Sequence, residues 1–528
     1  MRVGLVGIKF GVGCLETCLG HVWILVNIKW QKEKFNDIEC DTDQPPENFK
    51  ALIFSLSGVA PDRQKVMMPG GTLKEKWDGI KLKDGVTIMM MGTSEELLTV
   101  GEISKPKFIE DMTDSQITKA LKLPQGLKNI GNTCYLNATI QCLRTIPEVY
   151  KAIKMSSKAN ESDSQARFVL NLGRLIFSME TAEVPIAPIL PLKSLHEMCP
   201  QFATTQTVPP EQGGGTVLMQ QDANECWAEI IRSLQKTVYI PSNINFNDIP
   251  DSFGKNGNWN FVDQFLTGRF DVKTTNTESE EDIQLTQEPF LQLSCFIDKD
   301  VKYLQTGIRN GLETSLTKFS ESLSRDALYK RSSKISRLPA YLSLQFVRFY
   351  YKEKERINAK ILKDIKFSIV LDMYEFCTDE LKAKMQPMRD KYKLMEDKKA
   401  EAERISKKNE QSAEVKLDKS NIEHYPYWYS DDIGSNNSGI YELQAIVTHQ
   451  GRSSSSGHYV GWVRQVGDIW LKYDDDYVTQ VTAEDILRLS GGGDWHCAYV
   501  LLYGPKLIEK NPNQDNGDQA VTRQMDLS

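Results

Sequence analysis

The chain has 528 residues and a mass of 60.0 kDa, room for about two to four domains, which excludes a peptide or a disulfide-stapled miniprotein. Hydrophobic residues make up 40% and charged residues 26%, with a net charge of −7, so composition favours neither bulk disorder nor a nucleic-acid or anionic-membrane partner. Ten cysteines without a C-x-x-C pair point to a reducing compartment and to no structural metal.

The opening stretch MRVGLVGIKFGVGCLETCLGHVWILV is apolar, but Lys9, Glu16 and His21 interrupt it before it reaches the length of a membrane span, and no small-residue cleavage site follows. Residues 1–22 are therefore read as an atypical extension without a signal or transmembrane segment. From 23 to 92 the pattern predicts strands at Ile24–Trp30 and Asn36–Cys40, then a helix with Phe49, Leu52, Ile53 and Leu56, capped by Asp41–Asp43. Further strands follow at Gln64–Met68 and Val86–Met91, set off by Pro69-Gly70-Gly71 and Asp84-Gly85. That order resembles the ubiquitin-like β-grasp fold, and the block runs on through Gly92-Thr93 with no free diglycine tail. Alignment with ubiquitin's strands, which the resemblance implies, turns Ile88 and Met90 inward and leaves Met67, Met89 and Met91 as an outward apolar patch.

A linker at 93–123 leads to the long remainder, 124–505. Within it the Pro/Gly/Thr-rich Thr204–Gly215 reads as a loop. Between Leu381 and Ser420 there are 12 basic and 8 acidic residues in 40, a charged insertion expected to be a solvated helix or loop. The tail 506–528 lacks periodicity and reads as disordered.

Chemistry concentrates in GLKNIGNTCYLNATIQCL, residues 126–143. Glycine and asparagine precede Cys134, while Tyr135, Ala138, Thr139, Cys142 and Leu143 recur at helical spacing after it, so Cys134 falls at a helix N-terminus, where the helix dipole favours thiolate. Asn129 approaches on the preceding loop, placed to offer its amide to an oxyanion. The glycosylation-type triplet at Asn137 falls inside this helix and carries no meaning there. A cysteine near a helix start is more often plain core, so the assignment needs a base.

Among six histidines His458 is best placed, at the end of Gly451-Arg452-Ser453-Ser454-Ser455-Ser456-Gly457 and the start of an apolar strand. That glycine- and serine-rich run reads as a flexible gate over the site, and Arg452-x-x-Ser455 matches a basophilic-kinase pattern. Tyr459–Asp474 reads as a hairpin. A three-residue loop pairing Arg464 with Asp468 sets His458 across from Asp474, and a two-residue loop sets it across from Asp475.

These segments, together with Gln220-Gln221-Asp222-Ala223-Asn224-Glu225-Cys226, Leu338-Pro339-Ala340-Tyr341-Leu342, Arg348-Phe349 and Tyr441-Glu442-Leu443, resemble the boxes of the ubiquitin-specific proteases, in family order. HQGRSSSSGHYV and LRLSGGGDWH, behind a ubiquitin-like block, resemble a proteasome-associated member of that family. The resemblance implies an α+β architecture, a papain-like catalytic domain of palm, thumb and fingers after the β-grasp block. It implies Cys134 as nucleophile, His458 as base, Asp474 as orienting acid and Asn129 as oxyanion donor, with Asp475, His449 and Gln221 supporting. His449 itself reads as a packed histidine. Fingers in this family often carry two C-x-x-C zinc pairs, but residues ~260–345 hold only Cys295, so no metal or other cofactor is expected.

The implied activity is thiol-dependent hydrolysis after the ubiquitin C-terminal glycine. Its implied partners are ubiquitin, ubiquitinated proteins and the 26S proteasome regulatory particle, the last bound through Met67, Met89 and Met91, and its implied location is the cytoplasm, with the nucleus as an additional site. A catalytically dead ubiquitin-binding scaffold and a protease for another ubiquitin-like modifier are the competing readings. Complete Cys, His and Asp boxes weigh against the first.

Overall fold

The computed structural model describes residues 23–74, 76–77, 79–80, 82–92, 123–156, 163–208, 214–240, 259–279, 283–352, 357–408, 423–453, 456–493 and 495–510. The extension 1–22, the linker at 93–122, the end of the charged insertion, the tail from 511, and Ser454 and Ser455 of the expected gate lie outside the described residues. The chain divides into two units, Met1–Asp111 and Met112–Ser528.

In the first unit, β1 (Trp23–Trp30), β2 (Glu33–Asp41), β3 (Lys65–Met68), β4 (Gly71–Thr72) and β5 (Val86–Met91) form a sheet of order β2-β1-β5-β3-β4, with β1 and β5 parallel. Helix α1 (Pro46–Ser57) buries Phe49 and Ile53 against Val26, Ile28, Val66, Met68, Ile88 and Met90. Each such aliphatic side chain contributes about 1.5–3 kcal/mol by leaving water. The expected cap differs. Asp43 donates its backbone N–H to Asp41 Oδ1 at 2.9 Å, forming a separate turn, and α1 starts on Pro46 with no side-chain cap. Proline at the first position removes one of the orphan N–H groups of that turn, and the Asn48 N–H is taken by the Pro45 carbonyl at 3.0 Å. Period-2 alternation holds in β3 and β5: Met67, Met89 and Met91 are 40%, 46% and 50% exposed, and Met67 stands opposite Met89.

The second unit opens with helices α2 (Cys134–Leu143), α3 (Pro147–Met155), α4 (Ser164–Thr181), α5 (Ile189–Met198) and α6 (Ala223–Thr237). Between α5 and α6, Thr205–Val208 (β6) pairs with Gly215–Leu218 (β7), a hairpin where the composition predicts a loop. The β-branched TQTV and GTVL flanks outweigh the turn-forming residues between them.

The helices pack on one face of an eight-stranded sheet. Its main path is β8 (Leu293–Phe296), β9 (Leu342–Val347), β14 (Cys497–Pro505), β10 (Ile440–Ser453), β11 (Ser456–Arg464), β12 (Ile469–Asp474) and β13 (Tyr477–Thr482), and Val370–Asp372 pairs with β10 off that path. A separate four-stranded antiparallel sheet, containing Gly268–Asn276 and Arg325–Arg337, lies in the region expected as fingers. Two cores lie on opposite faces of the large sheet. Tyr459, Val463, Leu471, Tyr473, Tyr499 and Val500 join the helices, whereas Val460, Trp462, Trp470, Ile446, Ala498 and Leu501 form the other core. In the charged insertion the chain forms helix α7 (Asp379–Lys408), which buries Leu381 and Met385 in its first two turns and is otherwise largely solvated. Among the described residues no helix is long and apolar enough to cross a membrane.

Arg348 explains why its box is an arginine. It is fully buried and donates to the carbonyls of Ala498 (2.8 Å), Ile361 (3.0 Å), Lys363 (2.9 Å) and Ser490 (2.9 Å), pinning two loops to the sheet. Only a planar guanidinium has five donors in a fixed fork for such a task.

Candidate active site

Helix α2 owes its position to the turn before it. Gly131 (φ 110°) and Asn132 (φ 52°) take left-handed conformations. Asn129 Oδ1 accepts from the backbone N–H of Gly131 (3.0 Å) and Thr133 (3.2 Å), which stiffens the turn. Every residue of α2 is buried, and Cys134, its first residue, is 2% exposed. As the first residue of the helix, it lies at the positive end of the helix dipole. Gln220 Nε2 donates to Cys134 Sγ at 3.4 Å.

His458, on β11, places Nε2 2.6 Å from Asp474 Oδ1 at the end of β12, and its ring lies close enough to Cys134 for the two groups to interact. Since Nε2 faces the carboxylate, Nδ1 is the nitrogen left for the sulfur. The bond to Asp474 and then the interaction with Cys134 raise His458 to about 10, so the ring is protonated at neutral pH. Asp474, bonded to His458 and 2.8 Å from Lys472 Nζ, lies well below the usual carboxylate range. A cysteine sulfur at a helix start, an imidazole ring beside it that carries the sulfur's proton and a carboxylate behind that ring can attack a carbonyl and then pass the proton to a leaving amine.

The hairpin register differs from both expected ones. Gln465 N–H donates to the Ile469 carbonyl at 2.9 Å, closing a three-residue loop one position later than expected, and Arg464 pairs with Trp470. Glycine at 467, with φ 62°, accommodates that loop. The His458–Asp474 contact is thus a diagonal cross-strand one.

Asp475 turns elsewhere. Its φ of 55° points the carboxylate at the loop before Cys134, where it accepts from Asn129 Nδ2 (2.9 Å) and Asn137 Nδ2 (2.8 Å), while its carbonyl accepts from Leu127 N–H at 2.9 Å. Asn129 is consequently a turn-builder with one amide proton still free, not an amide aimed wholly at an oxyanion. Gln221, expected to support the site, donates its amide to Thr204 Oγ1 at 2.8 Å, and it is the neighbouring Gln220 that reaches the sulfur. The run Gln220-Gln221-Asp222 carries no signal that distinguishes the two adjacent glutamines. Asp222 caps α6 and accepts from Tyr499 Oη at 2.8 Å.

The described part of the expected flexible gate is a hairpin extension in which Ser453 pairs with Ser456. Gly451 and Gly457 both have φ 128° and face each other; a Cβ on Gly457 would collide with the Gln450 carbonyl and come within 2.6 Å of His449 Nε2. Packing, not freedom, requires glycine there.

His449 is fully buried against Phe349 (5.3 Å between rings) and Tyr459 (4.7 Å), as a packed histidine should be. Burial first, then the Lys360 cation, push it down to about 3. The unfolded chain titrates near the ordinary value of about 6.5, so this ring's contribution to stability is complete above about 6.5 and is lost as pH falls below it. His458 has the opposite sign, because its raised value makes its contribution complete below about 6.5 and lost through about 10. His449→Asn is therefore expected to flatten the fall in melting temperature between about pH 6.5 and pH 4. Parallel curves for the variant and the parent would contradict this.

The sequence profile of the family described as ubiquitin carboxyl-terminal hydrolase matches residues 125–503, a stretch that contains Cys134, His458 and Asp474. The chain belongs to that family. It is a cysteine-type deubiquitinating enzyme. Relatives within the family include ubiquitin carboxyl-terminal hydrolase 14 of Caenorhabditis elegans, 39% identical over 92% of this chain and 94% of that protein. Ubiquitin carboxyl-terminal hydrolase 7 of Arabidopsis thaliana is 36% identical over 92% of this chain and 99% of its own length. Ubiquitin carboxyl-terminal hydrolase 6 of Schizosaccharomyces pombe is 35% identical over the same shares, 92% and 99%.

Proposed function

We propose that Cys134 is the nucleophile, His458 its proton carrier and Asp474 the orienting acid in hydrolysis of the bond after the ubiquitin C-terminal glycine. The observation that carries this is the placement of His458 between Cys134 and Asp474, with Nε2 2.6 Å from the carboxylate. Cys134 adds to the carbonyl carbon, His458 gives its proton to the departing amine, and water then hydrolyses the thioester. The remaining amide proton of Asn129, Gln220 Nε2 and the backbone N–H of Cys134 are the oxyanion donors. Asp475 acts through Asn129 and Asn137, and His449 supports the strand that carries His458 by packing with Tyr459 and Phe349. The glycine- and serine-rich segment 451–457, which leads into His458, gates access to Cys134. Steady-state hydrolysis of ubiquitin conjugates, set beside conjugates of other ubiquitin-like modifiers, tests the substrate; equal rates on another modifier would overturn it.

The first unit is a ubiquitin-like docking module for the 26S proteasome regulatory particle, and the enzyme acts there, in the cytoplasm and nucleus, releasing ubiquitin from arriving substrates and so regulating their degradation. Support comes from the sheet order, the helix packed on it, and three methionines exposed on adjacent strands, a side chain suited to adaptable contacts. Tethering raises the local concentration of enzyme at its substrates. Met67→Glu with Met91→Glu is expected to weaken co-sedimentation with proteasomes about tenfold or more. Both side chains are exposed, so the melting temperature should not move. Unchanged co-sedimentation would remove the patch from the account.

A further inference from the structure

We propose that Lys472 is a positioning residue for the reaction: its ammonium holds the second carboxylate oxygen of Asp474, so that the first stays on the His458 ring. This rests on the reading of Cys134, His458 and Asp474 given above.

The backbone alone does not hold that contact. The ladder between β11 and β12 pairs Arg464 with Trp470, Val463 with Leu471, Trp462 with Lys472 and, last, Gly461 with Tyr473. His458 and Asp474 both lie beyond that last pair, and Asp474 is paired only on its other side, with Tyr477 of β13. The next residue, Asp475, turns away at φ 55°. Nor does the side chain hold itself, because the χ2 torsion of an aspartate is broad and has no single staggered well. A partner on each oxygen is what keeps such a carboxylate in one orientation.

Lys472 is the second partner. Its Nζ lies 2.8 Å from Asp474 Oδ2, while His458 Nε2 lies 2.6 Å from Oδ1. Among the described residues Asp474 has no cationic partner besides these two. Lys472 and Asp474 stand two positions apart on one strand, so their side chains rise from the same face. Unlike Asp474, Lys472 lies well inside the sheet, paired with Trp462 on one side and with Thr479 on the other.

The lysine is itself steadied from the side. Its Nζ is 5.8 Å from the centroid of the Trp462 ring, within the range of a cation–π contact. Trp462 is buried, and its Nε1 donates to Thr448 Oγ1 at 2.9 Å. Thr448 of β10, Trp462 of β11 and Lys472 of β12 therefore form a brace across neighbouring strands that ends on the carboxylate. The hydrogen bond from His458 first, and then the bond and charge of Lys472, keep Asp474 well below the usual carboxylate range against the opposing pull of burial. Both of its oxygens thus remain acceptors.

Two substitutions separate the charge of Lys472 from its packing. Methionine keeps an unbranched stem against Trp462 and has no cation, whereas arginine keeps the cation and its donors. The full-length chain, Lys472→Met, Lys472→Arg, Asp474→Asn and the double variant of Lys472→Met with Asp474→Asn would be compared for kcat and KM on a ubiquitin–fluorophore substrate. Lys472→Met is expected to lower kcat about tenfold and to leave KM within about twofold, because orientation of the acid matters to proton transfer and not to binding. Lys472→Arg should recover most of that loss. In the Asp474→Asn background, Lys472→Met should cost less than about twofold, since the lysine acts only through that carboxylate. Unchanged kcat in Lys472→Met, a loss confined to KM, a loss that Lys472→Arg shares in full, or a further loss of about tenfold in the Asp474→Asn background would each overturn the brace. Parent-like kcat in Asp474→Asn would instead overturn the reading of Asp474 as the orienting acid, and the brace with it.

Discussion

Cys134→Ala should lower hydrolysis of a ubiquitin–fluorophore substrate by at least about 10⁴-fold while leaving ubiquitin affinity within about twofold. Covalent catalysis disappears with the sulfur, but the residue is 2% exposed at the foot of a buried helix and contributes almost no surface to recognition. Two other cysteines of the same core provide the control. Cys142 and Cys226 are buried, and desolvation raises both thiols far above their ordinary value, so neither forms thiolate and their alanine variants should retain turnover. Retained turnover in Cys134→Ala would remove it as nucleophile.

Asp474→Asn is expected to cost about 10²–10⁴-fold in kcat, by analogy with other triads whose orienting carboxylate is made an amide. The charge that holds His458 protonated is lost, and an asparagine can present its NH₂ to the ring. Asp475→Asn should cost less, about tenfold. Its oxygens accept from Asn129 and Asn137, and an asparagine can satisfy only one of those donors with its single oxygen, loosening the turn before Cys134 without touching His458. Steady-state rates of the two variants decide the order. A larger loss at Asp475 would make the clamp on the turn more important than the orientation of the base.

What the amino-acid sequence made legible was mostly local. Alignment of Val86–Met91 with ubiquitin's strands chose the buried face, and the pleat of a strand with one buried face then keeps Ile88 and Met90 apart from Met89 and Met91. Glycine and asparagine before a periodic apolar run located Cys134 at a helix start for the same kind of reason. Hairpin geometry narrows the partner of His458 to two carboxylates and stops there, since the loop closes one position later than either expected register and the contact is diagonal. What separates the two aspartates is a backbone torsion, φ 55° at Asp475, which composition does not announce. Likewise, whether Gln220 or Gln221 faces the sulfur depends on how the segment between β7 and α6 meets α2, a contact between distant parts of the chain. The glycines at 451 and 457 also meet a packing demand against His449 that composition does not announce.

The central claim, that Cys134 activated by His458 is the group that attacks at the ubiquitin C-terminal glycine, is tested most directly by allowing the full chain to react with a ubiquitin carrying a C-terminal electrophile and mapping the modified residue by peptide mass spectrometry. The account predicts a single adduct on Cys134, absent from Cys134→Ala and much slower to form in His458→Ala. An adduct on any other cysteine, or none under conditions in which the chain hydrolyses ubiquitin conjugates, would contradict it.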